Sequence, residues 1–357
     1  MMKILHSADW HLDAPLTDHS EQQSRFLRQE LRKIPEKIVA LAKKEGCDLV
    51  LLSGDLFDGA YTKDSFRAVY DALAELTVPV FIAPGNHDFC QLNSPYLAEN
   101  WPENVHIFKH AVMESVELPE LDCTVFGAGY EAMDCPALLE GFQADGNSKW
   151  KIGVLHGDAT NTSSPYCPVS PRQMQSSGLD YLALGHIHKS GSFQSGDACC
   201  AWPGCPMGHG YDETGIKGVL LLTLGEKVQT AFMPLNVPLF FDETVDVGAD
   251  AAQTLANLLP GVETENFYRV TFTGYSENLD LASLAAQFSH IRNLELRDKT
   301  VPEKALWSAV GEDSLEGMFF SILQEGLDTQ DERQRRCIKL AAQISRQILD
   351  GQEVQLP

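Results

Sequence analysis

The 357-residue sequence contains no long hydrophobic run, no paired cysteine motif and no recognisable secretion signal. No apolar stretch approaches the ~18 residues of a membrane helix, so we expect no membrane span. The nine cysteines lack C-x-x-C spacing, which argues against a structural zinc site and favours reduced, buried thiols. The first residues, MMKILHSADW, lack a basic start followed by a long apolar stretch. We therefore expect a cytoplasmic protein.

Basic residues are also scarce. The chain has 27 Lys and Arg against 50 Asp and Glu, which gives a formal net charge of -23. Nucleic-acid affinity usually comes from Lys and Arg patches that displace counterions, so this chain is expected to bind DNA poorly on its own. Bound cations or a basic partner would offset the negative charge.

The first 90 residues alternate strand and helix patterns. Strands are predicted at MKILHSA, CDLVLLSG and VPVFIAPG, and helical periodicity is present over 21–45, ending at Gly46, and in KDSFRAVYDALAEL. Strands separated by helices of this length indicate a parallel sheet, whose ligand-binding loops follow the carboxyl ends of the strands.

From about residue 105 the sequence changes to short strands with few helices. The predicted strands are VHIF, VMESVEL, CTVFGAGY, KIGVLHG, DYLALGH, GVLLLTL and VQTAFMPL. This half should form a largely β layer packed on the first. The predicted fold class is therefore α/β, a mixed two-sheet β-sandwich flanked by helices.

The pattern changes again after residue 238. The segments FFDETVDV, FYRVTFTG and LELRDKT alternate with helices near 250–258 and 279–288, a β-α-β-α-β unit of about 60 residues. Residues 312–350 carry apolar side chains at helical spacing and predict two amphipathic helices around GLDTQDE. We predict three segments: a main domain at 1–238, a small α+β domain at 239–301 and a helical tail at 302–357.

Five short stretches place metal-type ligands after predicted strands. They are ADWH, SGDLFD, PGNHD, VLHGD and GHIH. Each one alone is more often a polar turn than a site, but five strand ends of this kind in one chain are hard to explain by chance. Carboxylate, amide and imidazole ligands together suit hard divalent cations such as Mn²⁺, and none of the five stretches contains cysteine. Two such cations can bind both the attacking oxygen and the leaving oxygen of a phosphoryl displacement.

The ordered set D-x-H, G-D-x-x-D, G-N-H-D, H-G-D and G-H-x-H resembles the signature of calcineurin-like metallophosphoesterases over about the first 200 residues. The resemblance implies a fold of two sheets with flanking helices and a site for two divalent metal ions, with Mn²⁺ expected and Fe, Zn or Mg as alternatives. It assigns one ion to Asp9, His11, Asp55 and His188, and the other to Asp55, Asn86, His156 and His186.

The same resemblance implies roles for neighbouring residues. His87 would contact the scissile phosphate and help to protonate the leaving oxygen. The alternative is that His87 is only a hydrogen-bonding neighbour of the ligands. Asp88 is the candidate to orient His87, and the role of Asp58 stays open.

Within this superfamily, HSADWHLDAPL, PGNHD and PGCPMGHGYDETGIKGVLLLTL resemble the SbcD and YhaO-type DNA repair exonucleases. That branch implies a DNA exonuclease or endonuclease subunit that acts on DNA ends with a coiled-coil, SMC-like ATPase. It also implies that 239–301 caps the DNA, that the tail docks on the ATPase, that the chain forms a homodimer, and that it is nucleoid-associated. His209 stands where that branch is expected to carry an arginine-like residue.

Two other functions remain open. A phosphomonoesterase or small-nucleotide phosphodiesterase could use the same two-metal site, and it would suit the acidic chain better. A scaffold subunit with a vestigial site is the third possibility, which the complete ligand set disfavours.

Overall fold

The computed structural model describes residues 1–248, 250–277, 279–351 and 354. The chain divides into two compact units, Met1–Leu239 and Phe240–Pro357. The division into three segments at 238/239 and 301/302 remains a prediction.

The first unit contains twelve strands and five α-helices. The strands are β1 Met2–Ser7, β2 Leu49–Leu52, β3 Val80–Ile82, β4 Val105–Ile107, β5 Glu114–Leu118, β6 Cys123–Gly127, β7 Trp150–His156, β8 Tyr181–Gly185, β9 Gly191–Ser195, β10 Ala198–Trp202, β11 Gly218–Leu224 and β12 Val228–Pro234. The helices are α1 Glu21–Leu31, α2 Ile34–Glu45, α3 Lys63–Ala74, α4 Pro95–Ala98 and α5 Pro171–Ser177.

The strands form two six-stranded mixed sheets. The first has the order β12-β11-β1-β2-β3-β4, with β1 to β4 parallel to one another and β11 antiparallel to both β1 and β12. The second has the order β5-β6-β7-β8-β10-β9, parallel from β6 to β10 and antiparallel at both edges. The predicted two-sheet α/β sandwich is confirmed, although β4, β11 and β12 belong to the first sheet and not to the second layer.

The main core contains apolar side chains from both sheets. Ile4, Leu51 and Phe81 of the first sheet belong to the same buried cluster as Val125 and Ile152 of the second. A second cluster contains Leu155, Leu182 and Cys200 of the second sheet together with Met174 of α5. The two sheets are therefore held together by side-chain packing, and their strand ends can contribute to one site.

The helical region predicted over 21–45 is two helices. Pro35 stands at the start of α2, where the missing N–H costs nothing, but in a continuous helix its ring would clash with the carbonyl of Leu31. The chain therefore breaks between Leu31 and Ile34. As expected, Gly46 terminates α2: it follows Glu45 as the capping residue and adopts a left-handed conformation with φ of 64°.

The second unit begins with three parallel strands that alternate with helices. The elements are β13 Phe240–Asp246, α6 Ala251–Leu258, β14 Thr264–Thr273, α7 Leu281–Gln287 and β15 Ile291–Asp298, in sheet order β13-β14-β15. This is the predicted β-α-β-α-β unit. It is followed by α8 Glu303–Leu306, α9 Leu315–Glu325 and α10 Glu332–Leu349, so the helical tail is also present.

Across the residues that the structure describes, no helix combines the length and the apolar character needed to cross a bilayer.

Candidate metal centre

The five predicted ligand stretches follow the carboxyl ends of strands in both sheets. Asp9, Asp55 and Asn86 come two to four residues after β1, β2 and β3 of the first sheet, whereas His156 ends β7 and His186 follows β8 of the second. The loop after β1 is tied to the loop after β2, because the amides of Asp9 and His11 donate to the carbonyls of Gly54 and Asp55 at 3.0 Å.

One group of ligand atoms is formed by Asp9, His11 and His188. Their ligand atoms lie within 4.8 Å of one another. The Nε2 atoms of His11 and His188 are 3.0 Å apart, and His11 Nε2 lies 3.7 Å from Oδ2 of Asp55. This is the set predicted for the first metal position.

A second group surrounds His156. Its Nε2 lies 3.2 Å from Oδ2 of Asp55 and 2.9 Å from Oδ1 of Asn86, and that amide oxygen is also 3.2 Å from Nδ1 of His186. This is the set predicted for the second position. Because Oδ2 of Asp55 faces both His11 and His156, Asp55 lies where a bridging carboxylate is expected.

The donor set fits two divalent cations. Oδ1 of Asp9 accepts a hydrogen bond from the amide of His186, but Oδ2 is buried and finds no partner among the described residues. The Nδ1 atom of His156 donates to the carbonyl of Ser53 at 2.9 Å, which leaves Nε2 to face the acids. A buried, unpartnered carboxylate oxygen and imidazoles oriented through their far nitrogen are typical of a metal site.

Four of the predicted ligands have a backbone conformation that is rare outside glycine. The φ angles of Asp9, His11, Asp55 and His186 are 55°, 46°, 52° and 93°. Such conformations cost of order 1–3 kcal/mol each, and they persist where the surrounding structure holds them. The loops are therefore preorganised to direct these side chains into the site.

Glycines allow the ligands to approach the backbone. A Cβ atom on Gly85 would lie 2.3 Å from Oδ1 of Asp55 and 2.8 Å from Nδ1 of His156. On Gly185 it would lie 2.0 Å from the carbonyl oxygen of Ser53. Neither position needs a positive φ, so the requirement is close packing and not a sharp turn.

The buried acids and imidazoles of the site shift one another's pKa values. Burial alone would raise the pKa of Asp55, but the charge and hydrogen bond of His156 outweigh it and hold that pKa well below its usual range. Burial lowers the pKa of His156, while Asp55 and Asp9 raise it more, to about 9. Burial raises the pKa of Asp9 to about 6. A bound cation would replace the proton on Nε2 of His156, because a ligating imidazole is neutral.

His87 lies beside this cluster, and its side chain is 45 % exposed. Its amide donates to Oδ1 of Asp55 at 2.9 Å, and its Nδ1 contacts Oδ1 of Asp58 at 2.5 Å. The ring stands edge-on to His11, with centroids 4.8 Å apart. The hydrogen bond with Asp58 raises the pKa of His87, so its charged form is favoured.

Asp88 makes different contacts from those predicted. Its carboxylate accepts from the amides of Gly85 and Leu56 at 2.7 Å and from the Tyr96 hydroxyl at 2.5 Å, with longer bonds from two further amides. It therefore holds the backbones of two ligand loops together. Asp58, whose role the sequence left open, is the carboxylate at the His87 ring.

Glu213 lies outside the five predicted ligand stretches and was not predicted as a site residue. It lies in the segment between β10 and β11 and contacts Nδ1 of His188 through Oε1. Its Oε2 accepts from the amide and the ring of His209 at 2.7 and 2.9 Å. The His209 ring lies 5.6 Å from that of His11. The only available signal was the acid itself, 25 residues after His188 in a segment without periodicity.

The sequence profile of calcineurin-like phosphoesterases matches residues 2–190. An uncharacterised metallophosphoesterase of Bacillus subtilis (strain 168), YhaO, is 30% identical over 237 residues, which cover 62% of this chain and 57% of that protein. The chain thus matches little more than half the length of this relative.

Two solved structures are similar at lower identity. The protein TT1561 of Thermus thermophilus is 19% identical with a TM-score of 0.42, and a dimetal phosphatase from Danio rerio is 13% identical with a TM-score of 0.40. Each alignment covers 65% of this chain and 98% of the other. Because the family profile spans more than half of the sequence and contains all five ligand stretches, this chain belongs to the calcineurin-like phosphoesterase family.

Proposed function

We propose that this chain is a metal-dependent phosphodiesterase that acts on DNA ends. The observation that carries the phosphodiesterase chemistry is the convergence of two ligand groups on Asp55, with the exposed imidazole of His87 beside them. Asp9, His11, Asp55 and His188 would hold one cation, and Asp55, Asn86, His156 and His186 the other. Two bound cations would supply the Lewis acidity that activates water and stabilises charge on the phosphoryl oxygens.

The donor set supports Mn²⁺ as the metal. Carboxylate and amide oxygens with imidazole nitrogens suit Mn²⁺, while Fe, Zn and Mg remain alternatives for the same ligands. The thiol of Cys205 lies within 4.8 Å of a ring nitrogen of His188 and a carboxylate oxygen of Glu213, but it is a single thiol and it accepts from Nζ of Lys217 at 3.3 Å. A thiolate-rich zinc site is therefore not favoured here.

His87 is proposed as the acid that protonates the leaving oxygen. Its Nδ1 is held by Asp58, and its side chain is the part of the site most open to solvent, so its Nε2 can reach a bound phosphodiester. Asp58 orients the ring, and the amide of His87 fixes Oδ1 of Asp55. Asp88 contributes by accepting hydrogen bonds from backbone amides, which hold the two ligand loops together.

The DNA substrate is supported by sequence resemblance. HSADWHLDAPL and PGCPMGHGYDETGIKGVLLLTL resemble the branch that contains YhaO and the SbcD-type DNA repair exonucleases, and from this resemblance we propose a role in DNA repair with a coiled-coil ATPase. The net charge of -23 makes a DNA-binding partner necessary for tight binding. A homodimer, a cytoplasmic or nucleoid location and a DNA-capping role for 239–301 belong to the same proposal.

The tail offers a surface for such a partner. On α9, the side chains of Leu315, Met318, Phe319 and Ile322 are 83, 55, 42 and 69% exposed and recur at helical spacing. An exposed apolar stripe on a helix of this kind can pack into a hydrophobic groove of a partner protein. We propose that the ATPase covers it.

A phosphomonoesterase or small-nucleotide phosphodiesterase is the second candidate. The acidic charge favours it, because a small substrate needs no extended basic surface. A scaffold with a vestigial site is disfavoured by the intact ligand groups.

The test compares three substrates with Mn²⁺: linear double-stranded DNA, bis-nitrophenyl phosphate and nitrophenyl phosphate, each with and without the ATPase partner. We expect cleavage of DNA and of the diester, abolished by a chelator. Rapid monoester cleavage without DNA turnover, even with the ATPase present, would transfer the assignment to the second candidate. No metal-dependent hydrolysis of any substrate would support the scaffold.

A further inference from the structure

Glu213 lies outside the predicted ligand motifs, in the segment between β10 and β11, and it contacts the predicted metal ligand His188. Its side chain is 11% exposed, and its two carboxylate oxygens face different partners. One contacts Nδ1 of His188, and the other accepts from the amide and ring of His209 and from the thiol of Cys205 at 3.6 Å. The carboxylate is therefore fully used, with one oxygen directed at the metal centre.

The contact with His188 determines which nitrogen faces the site. An imidazole that donates Nδ1–H presents the lone pair of Nε2, and the Nε2 atom of His188 lies 3.0 Å from Nε2 of His11. A carboxylate at the far nitrogen also increases the basicity of the ligating one. By contrast, His156 has a neutral carbonyl, that of Ser53, at the corresponding nitrogen.

We propose that Glu213 is a positioning residue for the metal position of Asp9, His11 and His188, acting through the orientation and basicity of His188. The inference rests on the proposed two-metal function. We expect Glu213 to affect only one of the two metal positions, because its described contacts reach His188 and none of the ligands around His156.

A purely structural role is the alternative. Glu213 could serve only to organise its own loop through His209 and Cys205, and the centre would then respond to any loss of the loop contacts. His209→Ala separates the two roles, since it removes the loop-side ring contact and leaves the His188 contact in place. Glu213→Gln keeps the size of the side chain and removes its charge, so it stays informative if Glu213→Ala folds poorly.

The matched control is Glu30→Gln. The side chain of Glu30 is 7% exposed, close to the value for Glu213, but it lies on α1 and pairs with Lys33 and Lys37. It controls for the loss of a buried charge in the same unit. Folding of all variants is checked by circular dichroism before metal is added.

The experiment measures Mn²⁺ binding to the full chain by equilibrium dialysis and by electron paramagnetic resonance, which reports whether two ions are coupled. We expect Glu213→Ala to weaken one of two sites by about 10- to 100-fold and to reduce the coupled signal. Glu213→Gln should lie between it and the wild type, while His209→Ala and Glu30→Gln should bind as the wild type does.

Two equal, unweakened sites in Glu213→Ala or in a folded Glu213→Gln would overturn the inference, as would a loss in His209→Ala equal to that in Glu213→Ala. A wild-type chain that binds fewer than two Mn²⁺ ions would instead refute the proposed two-metal function itself. The two failures are therefore distinguishable.

Discussion

Replacing Gly85 by alanine tests whether Asp55 is the shared centre of the site. The added methyl would lie 2.3 Å from Oδ1 of Asp55 and 2.8 Å from the ring of His156, whereas ordinary contacts begin near 3.4 Å. One of the groups must therefore move by roughly 1 Å. Overpacking of this size costs about 1–3 kcal/mol of folding free energy, and a 1 Å displacement of a catalytic group can cost about 100-fold in rate.

We expect Gly85→Ala to unfold at lower urea concentration and to bind both Mn²⁺ ions more weakly, since Asp55 faces both ligand groups. Four of the five tryptophans, Trp10, Trp101, Trp150 and Trp202, lie in the first unit, so the change in tryptophan fluorescence reports mainly on the unfolding of that unit. Gly225→Ala is the control, because its methyl would meet only the end of the Met1 side chain at 3.5 Å. Wild-type stability together with two unchanged metal affinities in Gly85→Ala would refute the close-packing argument.

Four further substitutions test individual roles. His87→Ala should retain both metals and lose about 10²–10⁴-fold in phosphodiester turnover, measured with bis-nitrophenyl phosphate; unchanged turnover would remove His87 from the mechanism. Asp55→Asn should no longer hold two Mn²⁺ ions in equilibrium dialysis, and a variant that still held two would contradict the bridging position. His186→Ala and His188→Ala should each weaken a different one of the two sites, and identical binding curves for the two variants would contradict the assignment of one histidine to each ion.

Much of the site was predictable because its ligands lie in short motifs at strand ends. An apolar run followed by Asp9 and His11, or by Asn86, predicts both a buried strand and a polar loop at its end. The pair His186 and His188 was also visible as a motif, and both side chains lie in the cluster. Their partners were not predictable in the same way, because the contact of Glu213 with His188 depends on how the segment after β10 folds back.

Long-range pairing within the fold was also not predictable from the sequence. The strands of the first sheet follow from apolar runs, but the pairing of β11 with β1 joins residues more than 200 positions apart and has no local signal. Strands β9 and β10 were not predicted, because GSFQS is polar and short, and ACCAW is rich in small residues. The break at Pro35 did have a signal, since a proline inside a helical pattern marks a helix start more often than it continues one.

The position of the ligands has a consequence for stability. Asp9, Asp55 and Asn86 come from the first sheet and His156 and His186 from the second, so a cation held by both sets would connect the two layers of the sandwich. Ligands that bind only the folded state stabilise it by mass action, by about 2.7 kcal/mol at a concentration 100 times the dissociation constant. That amount is comparable to the cost of one or two of the left-handed backbone conformations at Asp9, His11, Asp55 and His186. Metal binding would therefore offset part of the conformational cost of the four ligand residues, and loss of the Asp55 carboxylate, which is proposed to bridge the ions, should lower both metal content and folding stability.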